Sequence, residues 1–452
     1  MPVLDGQRCV LGWLASRRLG SRPCKKPEIS GGDPLSRTAT FGALRIRYYP
    51  RIWGAGFAWG LSRWGVSFVG PFIANDLTGS ARMVQLAGVA MWAPMLFGGI
   101  VGGWVSDRFD RRKVISLQFL ITIPALWVLA WMAFADRLAV WMIYPVLFVI
   151  GVGWVVDMTS RRAIVYDLVG ADRIDNAMAI ESTGTAFALA IGALAGGSLI
   201  QTAGVGWALI AMGAFQCVAL ITFVTVPAIP RLQRASGGGL ADLVDGVRML
   251  RRERALLSIL GVTACVNFFF FSATPLIQVI GDKFDVGPAL LGLLAAMLGF
   301  GMFSGSLFIA HFEPAGRGRA YVGGSYLALV FLLAFAVAPS YGIAAVVLLI
   351  AASGMGLFGS TQGVLVMDAV APDRRGRALG LLSSAIGVLP IGMFLLGEIA
   401  EVLDASTAVA VSALVGGLVM TLFLRAHPES ARLTTDRVAD VSIPTSGSPG
   451  HL

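Results

Sequence analysis

Apolar residues in this chain neither alternate with polar ones nor keep to one helical face. They run together for about twenty residues at a time, and short polar gaps separate the runs. Such runs fall near 52–74, 83–105, 114–135, 138–160, 178–200, 205–227, 257–280, 288–310, 320–338, 341–366, 378–401 and 406–425. About twenty apolar residues wound as a helix match the hydrocarbon thickness of a bilayer, so the pattern predicts an all-α membrane protein with twelve transmembrane helices. Strands of a membrane barrel would be about ten residues long and alternating, which excludes that class.

Composition agrees: 56% of the 452 residues are hydrophobic and 13% charged, about half the charge of a soluble domain. The net charge of +9 invites a nucleic-acid reading, but its distribution opposes it. Nearly all Lys and Arg fall in the two tails and in the gaps after the even-numbered spans. The opposite set of gaps holds Arg82, Arg137 and Lys283, and Arg63 lies inside span 1. This is the asymmetry that places basic segments in the cytoplasm. Both termini are therefore expected to be cytoplasmic and the basic charge to meet anionic lipid, with no nucleic-acid partner. The 31 Arg against four Lys, with many Gly and Ala, point to a GC-rich bacterial genome and hence to a bacterial inner membrane. Cys9, Cys24, Cys217 and Cys265 show no disulfide or metal spacing. The Arg-rich polar tract ahead of the first span is not the pattern of a secretory signal.

The chain divides in two. Residues 1–51 form a basic tail, 52–227 a first set of six spans, 228–256 a linker, 257–425 a second set of six and 426–452 a polar tail. The linker pairs a Gly-rich stretch with an amphipathic helix on Leu240, Leu243, Val244, Val247 and Leu250, suited to the lipid interface. The halves also match. The block from Tyr166 through Asp167, Asp172 and Arg173 to Ala177 aligns without a gap on Met367, Asp368, Asp373, Arg374 and Ala378. The same register carries Gly196 onto Gly397. Each block follows the fourth span of its set, as in a parallel repeat about the membrane normal.

Between spans 2 and 3 stands Gly103-Trp-Val-Ser-Asp107-Arg108-Phe-Asp110-Arg111-Arg112-Lys113. This G-x-x-x-D-R-x-x-R-R pattern resembles that of major facilitator superfamily transporters. Asn75-Asp-Leu-Thr78-Gly-Ser80, Asp175-Asn176-Ala177-Met and Pro372-Asp-Arg-Arg-Gly376-Arg377 resemble the branch of enterobactin exporters and macrolide efflux proteins. The resemblance covers roughly residues 45–425. It implies the major facilitator fold of two six-helix pseudo-repeats around a central cavity. It also implies export of a small amphipathic compound, such as a siderophore or an antibiotic, against inward proton flow, by a protein acting as a monomer. An importer or uniporter of a small metabolite on the same fold is the alternative. It would call for more polar groups in spans 7, 8, 10 and 11. One departure stands out: in span 5, where antiporters of the superfamily often carry Gly-Pro-x-x-Gly-Gly, this chain has Gly192-Ala193-Leu-Ala-Gly196-Gly197. The three glycines still permit close helix packing.

A transporter needs contacts that form in one state and break in the other. Gly103, Asp107, Arg108, Arg111 and Arg112 are the gating candidates. Arg374, Arg375 and Arg377 of the other half are their expected counterparts, Asp107 meeting Arg374, Arg375 or the start of span 11. Within the spans an ion costs about 2.5–3.5 kcal/mol to insert, so each marks a partner or a cavity. Arg63 in span 1, Asp157 in span 4 and Glu181 in span 5 are expected to form one polar cluster able to carry protons. Asp157 could alternatively pair with Arg161 or Arg162 at the helix end. Asn267 in span 7 is a candidate for substrate contact or for a bond to a neighbouring helix. Asp76, Glu398, Glu401 and Asp404 read as solvated charge at the outer ends. No lysine has the context of a phosphate-binding loop, and His311, His427 and His451 build no metal site. Neither cofactor nor catalytic residue is expected.

Overall fold

The computed structural model describes residues 42–98, 110–170, 173–227, 248–250, 252–312, 316–371 and 374–433. Gly103, Asp107, Arg108, most of the linker helix and both tails lie outside them. The described chain runs α1 (Tyr49–Thr78), α2 (Ala81–Trp92), α3 (Arg111–Phe134), α4 (Val140–Val169), α5 (Ile174–Ala203) and α6 (Val205–Val224). It continues as α7 (Arg254–Phe269), α8 (Leu276–Gly281), α9 (Pro288–Phe312), α10 (Arg317–Ala336), α11 (Tyr341–Asp368), α12 (Arg375–Ile386), α13 (Leu389–Val402) and α14 (Ala405–Ala426). Among the described residues there is no strand.

Among the described residues ten helical stretches are long and apolar enough to cross a membrane. The first two expected spans correspond to α1, 30 residues long with Arg63 inside its apolar run, and to α2, beyond which residues 99–109 are not described. Trp131 and Trp141 (each 64% exposed), Ile221 and Leu414 stand on the outer surface, where only hydrocarbon solvates them favourably.

Turn chemistry sets the boundaries. Gly79, at φ +62°, turns the chain out of α1 and its N–H closes on Asn75 O. Ser80 then caps α2, its side chain accepting from Met83 N. Asp110, the last acid of the basic loop, caps α3 by accepting from Arg112 N at 2.9 Å.

In the second half two expected spans are interrupted rather than continuous. The seventh breaks after Phe269 into a 3-10 turn, Phe271–Ala273, and resumes as α8 after Pro275. The eleventh breaks between α12 and α13, with Pro390 in the first turn of α13. Proline has no N–H to give and clashes with the carbonyl one turn earlier. In a membrane such a break is stable where protein or a cavity covers the freed backbone, and Pro275 and Leu389 both line the central cavity.

The apolar interior forms two large clusters. One is built almost wholly from α1–α6 and centres on Trp59, Phe119, Leu126 and Leu147. The other, built almost wholly from α7–α14, centres on Phe270, Tyr321, Phe335 and Leu348. Between them α5 packs along α9 and α2 along α13. Glycine makes the first contact possible. A Cβ at Gly192 would lie 2.7 Å from Leu61 O on α1, and one at Gly196 would meet Val69 and Phe68 at 3.2 and 3.3 Å. A Cβ at Gly197 would lie 2.9 Å from Gly292 Cα on α9. The Gly-x-x-x-Gly-Gly string thus has two faces, one on α1 and one across the seam. Gly197→Ala is expected to force α5 from α9 and destabilise the fold by about 1–3 kcal/mol. Thermal denaturation in detergent reads that loss. Ile191→Leu, at an exposed position of the same helix, should leave the midpoint nearly unchanged.

Candidate functional site

A cavity of about 350 Å³ lies between the two apolar clusters, a volume within the range of small-molecule sites. Most of its wall is apolar, and aromatic and thioether side chains make up much of that surface, including Trp64, Trp92, Trp154, Phe270, Met91 and Met355. Its polar groups divide unequally. Arg63, Asp157, Arg161 and Glu181 come from the first half, whereas the second contributes the neutral amides Asn267, Gln278 and Gln362.

Asp157 and Glu181 do meet, but Arg161 rather than Arg63 joins them. Arg161 sits one turn after Asp157 on α4, and its Nε donates to both carboxylate oxygens at 3.0 and 3.1 Å. Its Nη1 reaches Glu181 Oε2 on α5 in a very short contact. The Asp157, Arg161 and Glu181 side chains are 6%, 15% and 13% exposed, so water screens this bridge little. Gly56 on α1 makes room, since a Cβ there would come within 2.5 Å of Arg161 Nη1. Tyr49 Oη and Trp53 Nε1 donate to Ala177 O and Ile180 O and so tie α1 to α5 beside the bridge. One polar atom of the group, Glu181 Oε1, is buried without a hydrogen-bond partner among the described residues.

Arg63 answers its charge differently. It is 5% exposed, and its guanidinium lies 4.2 Å from the Trp64 ring centroid and 4.1 Å from that of Trp154. Arg63, Asp157 and Glu181 thus line one cavity, as the expected cluster has it, but the ionic partner of both acids is Arg161. The i,i+4 spacing gives Asp157 to Arg161, and indole faces hold Arg63. Asn267 spends its donor within its own helix rather than on a neighbouring one: Nδ2 donates to Thr263 O, one turn earlier on α7.

The end of the bundle near Asn75 is closed by contacts across the seam. Asn75 Nδ2 donates to Asp282 Oδ2 in a very short bond. Glu401 accepts from Ser80 Oγ at 2.8 Å and Arg82 N at 3.0 Å, while Arg82 pairs with Glu398 at 3.0 Å. Deeper in, Gln85 Nε2 donates to Ser272 O and Gln278 Nε2 to Phe68 O, both at 2.9 Å. Glu398 and Glu401, expected as solvated charge, thus join the halves. Burial pushes the Asp282 carboxyl above its ordinary pKa; the Asn75 bond opposes this and Asp76 adds to it. Beside this end, Asp404 caps α14 and Thr407 holds its pKa down to about 2, aided by Lys283.

At the opposite end, several contacts of the basic motifs run within a half. Arg111 donates to Asp167 at 2.9 Å and Arg112 to Val224 O. In the second half Arg374 lies 3.6 Å from Glu253, Arg375 donates to Met367 O, and Asp368 approaches Arg317 at 4.0 Å. The pairs Asp167–Arg111 and Asp368–Arg317 link matching elements, each joining the end of a set's fourth span to the start of its third. Asp107, the expected counterpart of Arg374 and Arg375, is not among the described residues, nor are Gly103 and Arg108.

The sequence offers Arg161 as an alternative partner of Asp157, but nothing along the chain signals its reach to Glu181. Gln85 and Gln278 carry no comparable signal, because a lone amide in a span has many possible partners. Removing one member of a buried ionic set leaves uncompensated charge, at about 3–5 kcal/mol. Arg161→Gln is accordingly expected to lower the melting midpoint and the amount of protein in the membrane. The triple variant Arg161→Gln, Asp157→Asn, Glu181→Gln should recover most of the loss.

Comparison with known proteins agrees with this geometry. The family model described as Major Facilitator Superfamily matches residues 52–388 and 259–446. Macrolide efflux protein A of Streptococcus pyogenes is 24% identical over 334 residues, covering 72% of this chain and 82% of that protein. Enterobactin exporter EntS of Shigella flexneri is 26% identical over 239 residues, 52% of this chain and 56% of its own length. The crystal structure of a mutant nucleoside transporter NupG superposes with a TM-score of 0.68 at 14% identity, covering 84% of this chain and 99% of that one. The likeness to NupG is one of fold, and with the family model spanning both halves, the chain belongs to the Major Facilitator Superfamily.

Proposed function

We propose that this protein is a secondary active exporter that moves a small amphipathic compound out of a bacterial cell in exchange for protons. Both termini lie in the cytoplasm, and the Asn75 end faces outward. The observation that carries the reading is the Asp157–Arg161–Glu181 bridge in the wall of a mainly apolar cavity. A proton carrier must hold its proton in one state and release it in another. Glu181 has one oxygen on Arg161 and one buried oxygen without a partner among the described residues. Protonation there weakens the bridge between α4 and α5, and deprotonation restores it. The charge change thus acts on two helices that border the cavity.

The relatives' printed names, macrolide efflux and enterobactin export, support outward movement of an amphipathic molecule. The aromatic and methionine wall suits such a body. At about 100 mV one inward proton supplies about 2.3 kcal/mol, equivalent to roughly a fifty-fold gradient of solute. In this scheme the hydrogen bonds at the Asn75 end form the outer gate and must break when the cavity opens outward. We assign the inner gate to Gly103, Asp107 and Arg108, with Arg374, Arg375 and Arg377 opposite. Arg111 and Arg112, bonded to Asp167 and Val224 O, anchor that loop to its own half.

The test uses inverted membrane vesicles with an acid lumen and a panel of siderophores and lipophilic antibiotics. Proton release from the lumen on adding one compound is the expected result. Glu181→Gln should abolish it at unchanged protein abundance. Full proton-linked export in that variant would remove Glu181 from the coupling. Compound movement without proton movement would turn the reading to uniport, and movement in the inward sense to import.

A further inference from the structure

The two acids of the cavity wall both pair with one of its two arginines, which leaves the other without an ion pair among the described residues. Both oxygens of Asp157 and one of Glu181 are committed to Arg161. Arg63 is buried in the same wall, and its Nη1 has no hydrogen-bond partner among the described residues. A guanidinium inside a membrane span normally requires an acceptor. Here the faces of Trp64 and Trp154 supply part of the compensation by cation–π attraction. The rings supply no lone-pair acceptor, so Nη1 keeps its capacity to donate, and Arg63 lines the cavity.

The scaffold holds that geometry in place. Trp64 and Trp154 come from different helices, and Trp92 packs edge-on to Trp154 with ring centroids 4.2 Å apart. The two rings stand 6.1 Å apart and tilted by 61°, so the guanidinium rests in the corner they form, and this packing limits the ordering entropy lost on binding. Among the described residues the opposite wall offers no competing charge: Asn267, Gln278 and Gln362 are neutral. A basic amine entering this cavity would meet the unpaired guanidinium of Arg63, with both oxygens of Asp157 and one of Glu181 already on Arg161. An oxyanion on an aromatic or apolar body would meet that guanidinium at one end and indole, phenyl and thioether surface around the rest.

We propose that Arg63, packed in the corner formed by Trp64 and Trp154, is the anchoring subsite for a carboxylate or phenolate-type oxyanion, and that the transported compounds are acidic amphipaths rather than basic amines. This rests on the reading of the cavity as the substrate path and narrows its substrate class.

The test is equilibrium binding to the purified chain in zwitterionic lipid nanodiscs, without a proton gradient. It is followed by energy transfer from tryptophan to pyrene and referenced to empty nanodiscs. The probes are 1-pyrenebutyrate, its primary amide and 1-pyrenebutylamine, which share one body and differ in charge. The butyrate should bind about tenfold tighter than the amide, a difference of about 1.4 kcal/mol, and the amine weakest of the three. Arg63→Gln should erase the butyrate's advantage while leaving amide affinity within about twofold. If that variant does not fold, Arg63→Lys carries the comparison. It keeps the charge but loses the planar fork, so the advantage should fall to about threefold. An amine that binds as tightly as the butyrate, an advantage unchanged in the folded variant, or no saturable transfer from the butyrate would overturn the proposal. Because no gradient is present, these outcomes are separate from the vesicle assay. Antiport with no charge preference removes the oxyanion subsite alone, and a charge preference without antiport removes the exporter reading alone.

Discussion

Hydrocarbon offers a charge no solvation, and the interior of this protein is organised around that constraint. The cations and anions in its cavity wall are answered by protein groups in two different ways. Arg161 gathers Asp157 and Glu181 into one bridge spanning α4 and α5. Arg63 rests on two indole faces. The first arrangement satisfies charge with charge. The second satisfies a cation with polarisable surface and leaves Nη1 without an acceptor among the described residues. Two cations in one cavity wall therefore acquire different chemistry from their neighbours alone.

The same constraint explains where the backbone is irregular. Prolines interrupt the seventh and eleventh spans where they border the cavity, and the freed backbone groups lie within protein rather than against lipid. The seam between the halves relies on contacts that can be exchanged. Glycines bring α5 and α9 close, and a small set of amide, carboxylate and hydroxyl bonds closes the Asn75 end. Neither half buries a large apolar cluster jointly with the other. Two separately packed cores joined by polar bonds and small-residue contacts can rock without unfolding either one.

Much of this was open to reading from the chain alone, and the reason is physical. The thickness of a bilayer imposes a length on every apolar run, so spans, their order and the class of fold follow from local hydropathy. The offset between the Asp167 and Asp368 blocks exposed the repeat, and the Gly103–Lys113 stretch pointed to the family. The rarity of ions in spans singled out Arg63, Asp157 and Glu181, each of which lines the cavity. What local pattern could not assign was partnership. Glu398 and Glu401 read as solvated charge because nothing along the chain indicates Ser80 and Arg82 some three hundred residues away. Arg161 stood at the correct spacing from Asp157, yet its reach to Glu181 depends on how α4 and α5 cross and on the space left by Gly56. By itself, then, the sequence determined which segments enter the membrane, how they repeat and which charges enter with them, because lipid acts on each residue separately. Only the tertiary structure decided which charge answers which, because pairing depends on distances between helices that no single helix contains.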